Sequence, residues 1–166
     1  MSLHLAPPNE RLTAAVATEG WLDDERSNQD AGYGSGEIGA QRAYEGFVEA
    51  YEGGSLFGVF RGEEPVGFVV LTKPGKRLAQ FHGVLAPRFR GTVLSGRLVD
   101  AVAGATLGNG TYRLETEVLT RNQRVLRLLK GMGFVAEGAH KGRHEMDGRR
   151  ETTMTLRMLR SEWKAR

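Results

Sequence analysis

The chain has 166 residues, of which 40% are hydrophobic and 26% charged, a composition typical of one globular domain and not of a disordered or fibrous chain. It contains no cysteine, which excludes a thiol nucleophile, a disulfide framework and a cysteine-containing zinc site. The formal net charge is only +3, yet residues 1–72 carry 4 basic and 12 acidic side chains while residues 73–166 carry 19 and 8. This asymmetry predicts a positive surface in the second part that attracts phosphate groups or nucleic acid.

Targeting and membrane segments are not evident. The N-terminus lacks a basic start followed by an apolar stretch, and no segment approaches the roughly 20 apolar residues that span a bilayer. We therefore expect a cytoplasmic protein that does not engage membranes, present as a monomer or a homodimer.

The hydrophobic pattern of the first 54 residues predicts two helices separated by a loop. Pro8 and Glu10 precede apolar residues at helical spacing, which predicts a helix over residues 9–25. Residues 26–40 are rich in Gly, Ser, Asn and Asp and predict a loop. Apolar residues recur at helical spacing from Tyr44 to Tyr51, and this second helix ends at Gly53.

The pattern then changes to strands that alternate with helices. Residues 55–60 and 65–72 predict a hairpin, and residues 77–86 a third strand. A helix over 91–107, a strand over 111–119, a helix over 121–132 and a hairpin turning at Asp147–Gly148 complete the chain. This order predicts an α/β (α+β) fold with a mixed, mostly antiparallel sheet of about six to seven strands, covered by helices on both faces.

The junction between the third strand and the next helix has the features of an anion site. An apolar strand ends near Ala86, and a loop with Arg88, Arg90 and Gly91 leads directly into a helix. Free backbone N–H groups and the positive end of the dipole at a helix N-terminus favour a phosphate, and glycine lets the backbone approach it closely. An ordinary solvated loop is the alternative.

This junction resembles the pyrophosphate loop of the GNAT superfamily of N-acetyltransferases, whose pattern is [QR]-x-x-G-x-[GA]. Residues Arg88 to Val93 match every position of that pattern but the last. The likeness continues in chain order through Leu114–Val118, Asn122, Leu128–Phe134, Glu137–Gly138, the Asp147–Gly148 turn and Thr152–Leu156. It covers about Leu56 to Trp163 and is most similar to the branch that acetylates the N-termini of ribosomal proteins.

The resemblance implies a single acyltransferase domain over residues 1–166, with a helical acceptor-side segment over 1–54 and a coenzyme A-binding core over 55–166. It implies acetyl-CoA as co-substrate and transfer of an acetyl or other acyl group to a primary amine by direct attack in a ternary complex. The backbone of Val84 and Ala86 would pair with the pantetheine arm, and the amides of Arg90 to Leu94 would hold the pyrophosphate. The cofactor-binding residues so implied are Val84, Leu85, Ala86, Arg88, Arg90, Gly91, Thr92, Val93, Leu94 and Asn122. Arg124 and Arg127 are further candidates for nucleotide phosphates.

Acetyl transfer to an amine needs a base, because an amine with a pKa of about 8 to 10 must lose a proton before it attacks. His82, which shares a strand face with Gln80, is the first candidate for this catalytic role because histidine titrates near neutrality. Glu117 on the next strand is the second candidate. His140 and His144 on the closing hairpin are the third, and a structural role is the alternative for each.

Three departures from the family pattern leave other functions open. Val93 replaces a small residue, Leu129 stands where many relatives have a tyrosine that protonates the leaving thiolate, and Gln80 lies about where a glutamate base is common. The domain could therefore have kept the fold and lost turnover. The basic second part also leaves open a GNAT-like domain that binds or modifies nucleic acid.

The sequence carries weaker signals for a metal site and for the acceptor amine than for the co-substrate. His140 and His144 have no obvious residues to complete a metal site, so we expect no metal. The acceptor amine belongs either to a small molecule or to a protein N-terminus. Acidic residues near the 26–40 loop, such as Asp24 and Asp30, would suit a cationic one.

Overall fold

The computed structural model describes residues 2–164, which form one seven-stranded sheet with six helices. The strands are β1 (Leu3–Ala6), β2 (Leu56–Arg61), β3 (Glu64–Gly75), β4 (Leu78–Leu85), β5 (Arg113–Leu119), β6 (Val135–Met146) and β7 (Arg149–Leu159). The helices are α1 (Glu10–Thr18), α2 (Glu25–Asp30), α3 (Gly36–Glu52), α4 (Leu94–Thr106), α5 (Gln123–Gly131) and α6 (Arg160–Lys164). The spatial strand order is β1-β2-β3-β4-β5-β7-β6, and only β4 and β5 pair in parallel. The predicted mixed, mostly antiparallel sheet is confirmed.

Two apolar clusters cover the two faces of the sheet. On one face, α4 packs Val99 and Val102 against sheet residues such as Leu114. On the other, Leu12 and Trp21 pack with Phe47 and Phe68. Burial of one such side chain contributes about 1.5–3 kcal/mol, so the two clusters fix the helices on both faces of the sheet.

The N-terminal segment differs from the predicted helix and loop. The helix expected over 9–25 ends at Thr18, and the loop expected over 26–40 contains α2 and the start of α3. Asp24 begins α2 because its side chain accepts the backbone N–H of Ser27 at 2.8 Å. A cap of this kind starts a short helix in a stretch that has little hydrophobic periodicity, and the pattern of apolar residues therefore missed it.

The sheet divides between β4 and β5. These strands pair only from Leu78 to Gln80, opposite Arg113 to Glu115, and then diverge. At the point of divergence, the Thr116 hydroxyl donates to the Phe81 carbonyl at 2.8 Å. The divergence leaves the rest of the β4 edge open and creates a cleft within the sheet.

The described part of the chain was searched for a membrane-spanning helix and for a cluster of metal ligands. Within residues 2–164, no helix has the length and apolar character needed to cross a membrane. Over the same range, no group of three or more His, Asp or Glu side chains lies close enough to hold a metal ion.

Candidate functional site

The cavity between the diverging strands is called here the cofactor cleft. Its walls are His82–Leu85 of β4 and Thr116–Val118 of β5, and side chains of α4, α5 and α2 complete it. Arg90, Asn122 and Arg124 also line it. The cleft therefore joins the open edge of β4 to the N-terminal ends of α4 and α5.

The backbone of β4 faces the cleft at positions other than those expected for the pantetheine arm. Ala86 donates its N–H to Val66 of β3 at 2.9 Å, so Ala86, and by alternation Val84, point their polar groups away from the cleft. The carbonyls of Phe81 and Leu85 instead accept bonds from Thr116 and Arg90 on the cleft side. The backbone polar groups on the cleft side of β4 therefore belong to Gly83 and Leu85, and not to Val84 and Ala86 as expected.

The loop from Gly91 to Val93 supplies free backbone donors. No acceptor in residues 2–164 bonds the N–H groups of these three residues. The other two amides in the expected set are already used, because Arg90 donates to Pro87 at 3.3 Å and Leu94 donates to the Thr92 hydroxyl at 3.2 Å. The expected set of five amides is therefore corrected to three.

Gly91 lies close to the side chain of Arg124 on α5. Its φ is +73°, a conformation that favours glycine, and a Cβ there would stand 3.2 Å from Nη1 of Arg124. This turn delays the start of α4 from the expected Gly91 to Leu94. Val93, which replaces the small residue of the family pattern, is 75% exposed and does not fill the cleft.

Arg90 carries a buried donor that has no protein partner. Its Nε donates to the Leu85 carbonyl at 3.1 Å, and its Nη1 pairs with Asp24. Its Nη2 is buried without a partner among the described residues. An orphan cationic donor in the cleft, beside the free amides of Gly91 to Val93, fits an anionic ligand such as the coenzyme A phosphates.

The acidic residues near the expected loop lie beside the cofactor cleft. Burial raises the pKa of Asp24, but the bond from Ser27 and the charge of Arg90 outweigh it, so the net pKa is lowered. Asp30 lies 3.9 Å from the guanidinium of Arg121 and lines the same cleft. These two carboxylates therefore do not supply the cationic-amine site for which they were considered.

Arg88, expected at the cofactor, points to a different part of the surface. It pairs with Glu19 and with Glu64, the latter at 3.2 Å, and stacks over the ring of Phe89. The hydrogen bond from Arg88 lowers the pKa of Glu19. We therefore correct the role of Arg88 to tying the loop to the C-terminal end of α1 and to β3.

Asn122, which caps α5, and Leu129 within α5 lie at the side of the cofactor cleft. The Asn122 side chain accepts the N–H of Val125 at 3.3 Å and so begins the helix. Leu129 is only 2% exposed. The position where many relatives have a tyrosine is filled here by a buried apolar side chain that cannot donate a proton.

A second cavity, called here the acceptor cleft, opens on the sheet face that carries Gln80 and His82. Glu115 and Glu117 of β5 and Arg143 and His144 of β6 also line it. Five residues line both clefts: Ala31, Phe81, His82, Thr116 and Glu117. The two expected catalytic residues thus lie together at the junction where the clefts meet.

His82 has a buried ring nitrogen without a partner. Its Nε2 is inaccessible and bonds no group within residues 2–164, although part of the side chain is exposed. Burial lowers the pKa of His82 and so favours the neutral form of the ring. A neutral imidazole can accept a proton, but protonation would place a charge where no acid compensates it.

Glu117 is held by three neighbours. Its Oε1 accepts the Thr153 hydroxyl at 2.6 Å and lies 3.2 Å from Nε of Arg143, and its Oε2 lies 3.7 Å from Nε2 of His144. His140, in contrast, bonds Thr155 at 2.9 Å and does not line the acceptor cleft. The sequence analysis missed Arg143 and Thr153, although a glycine within a strand pattern, Gly142, signals a bulge beside Arg143.

Comparisons with known proteins agree with this geometry. A family model described as the acetyltransferase (GNAT) family matches residues 18–134. A search of curated proteins found no significant match. Among solved structures, a spermidine N-acetyltransferase from Vibrio cholerae in complex with CoA and spermine is 16% identical, with a TM-score of 0.78 and 98% of each chain covered.

Two further solved structures share the fold. An acetyltransferase of the GNAT family from Bacillus anthracis is 16% identical, with a TM-score of 0.77, 98% of this chain covered and 97% of that chain. An N-acetyltransferase from Staphylococcus aureus is 14% identical, with a TM-score of 0.70, 96% of this chain covered and 99% of the other. The predicted superfamily, the acetyl-CoA co-substrate and acetyl transfer to an amine are confirmed at the level of the family. Because the family model matches more than half of the sequence, this chain belongs to the acetyltransferase (GNAT) family.

Proposed function

We propose that this protein acetylates a primary amine held in the acceptor cleft, with acetyl-CoA in the cofactor cleft and His82 and Glu117 beside the reacting atoms. The observation that carries the proposal is that both side chains line both clefts. A donor and an acceptor brought together at this junction would react without a covalent enzyme intermediate.

The reaction balances as a simple transfer. Acetyl-CoA supplies the acetyl group as an activated thioester. A C–N bond forms at the amine nitrogen and the C–S bond breaks, so an ammonium group and the thioester give an amide, a thiol and one proton. Glu117 accepts that proton directly or through water, and neutral His82 is the second group that can accept it.

The chain binds the nucleotide part through backbone and arginine donors. The N–H groups of Gly91 to Val93, at the positive end of α4, hold the pyrophosphate, and Arg90 and Arg124 add charge. The open edge of β4 at Gly83 and Leu85 pairs with the amides of the pantetheine arm. Asn122 lies beside that arm.

Several finer predictions depend on the acceptor. Acetylation of a protein N-terminus, as in the ribosomal-protein branch, and acetylation of a small amine are both compatible with an open acceptor cleft. One structural neighbour was solved with spermine, so polyamines belong in the substrate panel.

Three other expectations do not concern the acceptor. The division at residue 54, the cytoplasmic location and the choice between monomer and homodimer stay predictions.

The first experiment is a thermal-shift titration with acetyl-CoA, CoA and ATP, followed by thiol release with a panel of amines. A ligand at about 100 times its Kd stabilises the folded state by roughly 2.7 kcal/mol. Stabilisation by both CoA forms but not by ATP, together with amine-dependent thiol release, is expected. Binding without turnover would favour the non-catalytic alternative. No shift with any of the three ligands would lead to a second titration with DNA and RNA, and stabilisation there would favour the nucleic-acid alternative.

A further inference from the structure

The carboxylates that line the acceptor cleft are already bound by the chain's own donors. Glu115 pairs with Arg113 and accepts a hydrogen bond from Nε2 of Gln80 at 3.1 Å. Glu117 is bound through Oε1, as described above. A polycationic acceptor would therefore find Glu115 and Oε1 of Glu117 already paired, and only Oε2 of Glu117 without a hydrogen bond.

A bulge in β6 adds positive charge to the same cleft. The register of β6 on β7 shifts between His140 and His144, and Gly142 within this interval has a φ of +67°. Consecutive residues of a regular strand point to opposite faces, whereas here both Arg143 and His144 line the acceptor cleft. The bulge thus brings a guanidinium and an imidazole together above β7.

The outer edge of the Arg143 guanidinium is open. Its Nε is the guanidinium atom nearest to Glu117, at 3.2 Å, and neither Nη1 nor Nη2 forms a hydrogen bond with a described residue. The side chain is 53% exposed and lines the acceptor cleft. Lys141 and Arg150 on the same hairpin form no ion pair with a described residue, and Arg150 packs against Gly142, 3.6 Å from where a Cβ would stand. Arg143 thus places an exposed guanidinium at the acceptor cleft, where Glu115 and Glu117 already contact arginine side chains.

We infer that Arg143 selects an acceptor whose amine has a carboxylate close to it, as in an α-amino acid. The inference rests on the proposed function. Two adjacent N–H groups of arginine match the two oxygens of a carboxylate, and this pairing is stronger than a neutral hydrogen bond. Because Arg143 contacts Glu117 directly, an acceptor carboxylate on the outer edge of Arg143 places the amine near Glu117 only if the two groups are close in the acceptor.

The acceptor carboxylate binds and takes no part in bond changes. The new C–N bond forms at the amino nitrogen, the thioester C–S bond breaks, and the thiol and one proton leave, as in the proposed function. The selectivity expected is therefore a difference in kcat/KM between amines that differ only in the charge beside the amino group.

The test compares each amino acid with its own amide at saturating acetyl-CoA, by thiol release. Methionine, phenylalanine and serine serve as three matched pairs, with spermidine as a polycation. We expect the acid of at least one pair to have a kcat/KM about ten-fold or more above that of its amide. This is expected even though a larger fraction of the amide has its amino group in the neutral, reactive form. Equal rates, a preference for the amides or a preference for spermidine would overturn the inference.

Variants then test the residue itself. Arg143→Gln should lower the acid-to-amide ratio of kcat/KM by about ten-fold or more. Arg143→Lys keeps the positive charge but lacks the two adjacent N–H groups of the guanidinium, and it should lower the ratio less. Arg77→Gln is the matched control, because Arg77 stacks on Tyr112 and lines neither cleft, and it should keep the ratio. An unchanged ratio in both Arg143 variants would overturn the inference.

Failure of the inference is distinguishable from failure of the proposed function. Stabilisation by acetyl-CoA is measured for every variant, which shows that it is folded and binds the co-substrate. Turnover of amines without any preference for a carboxylate contradicts the inference alone. A wild-type protein that neither binds acetyl-CoA nor releases thiol contradicts both.

Discussion

Asp147, in the turn between β6 and β7, accepts the backbone N–H of Ser35 at 3.0 Å, although the two residues are 112 positions apart in the sequence. Ser35 precedes α3, and Met146 beside the turn is buried. The bond thus connects the hairpin that carries Arg143 to the segment before α3. It links elements on two sides of the acceptor cleft.

Replacement of Asp147 by alanine should loosen this link, lower the Tm and raise KM for the acceptor more than KM for acetyl-CoA. Asp147→Asn should cause smaller changes in Tm and KM than Asp147→Ala, because asparagine accepts the same bond and tolerates the φ of 51° found here. Steady-state kinetics and thermal unfolding measure both. Glu145→Ala, at an exposed position of the same hairpin, is the control.

The contribution of Asp147 should depend on pH. The backbone bond from Ser35 lowers the pKa of Asp147, so the stabilisation is complete above the unfolded pKa of about 3.9 and is lost as pH falls through the lower folded value. The Tm difference between wild type and Asp147→Ala should be full at pH 7 and should shrink below about pH 4. A constant difference down to pH 2.5 would mean that the carboxylate charge is not involved.

Gly91→Glu should abolish binding of acetyl-CoA while the fold survives. The new side chain would begin 3.2 Å from Arg124 and would place a negative charge beside the amides of Gly91 to Val93. Isothermal titration calorimetry measures the loss. Gly104→Ala in α4 is the matched control: a Cβ there meets nothing within 4 Å, so binding should be kept and stability should rise by about 0.5–1 kcal/mol. Unchanged binding in Gly91→Glu would move the phosphate site elsewhere.

The strands from β2 onward, the later helices and the turn at Gly91 could be predicted from the sequence because each has a strong local signal. Short apolar runs define β2 and β3, alternation of buried residues defines β4, and the spacing from Leu94 to Thr106 defines α4. Gly91 marks its turn because few other residues adopt its positive φ. These features depend on a few neighbouring residues.

Other features depend on contacts between distant residues, and the sequence pattern could not show them. The direction of the β4 carbonyls is set by the register with β3, so Gly83 and Leu85 rather than Val84 and Ala86 face the cleft. Arg88 pairs with Glu19, which is 69 positions away. Arg143 reaches Glu117 only because of the bulge at Gly142.

His82→Gln should change the pH dependence of stability and lower turnover. Burial lowers the pKa of His82, so the folded state binds fewer protons than the unfolded state below about pH 6.5, and wild-type stability is lost as pH falls toward the folded pKa. The variant lacks this loss, which reaches at most about 1.4 kcal/mol per pH unit. Urea unfolding at pH 7.5, 6.5 and 5.5 measures it, with His4→Gln, on an exposed ring, as the control.

Turnover of the His82→Gln variant distinguishes a catalytic from a structural role. If His82 accepts the proton, kcat should fall with acetyl-CoA binding intact. A kcat equal to that of wild type from pH 6 to 9 would leave Glu117 or bulk water as the acceptor of the proton.

Glu117→Gln should lower kcat by about 10²- to 10⁴-fold, the usual contribution of a general base, with little change in acetyl-CoA binding. The amide keeps the size of the side chain and can still accept from Thr153, so a loss of rate reports the missing charge and not a lost contact. Glu137→Gln is the matched control. The bond from Arg113 lowers the pKa of Glu137 to about 2, so this carboxylate is ionised at neutral pH, but it lines neither cleft and its loss should leave kcat unchanged. Equal kcat values for Glu117→Gln and Glu137→Gln would exclude Glu117 as the base, and the proton would then pass to His82 or to water.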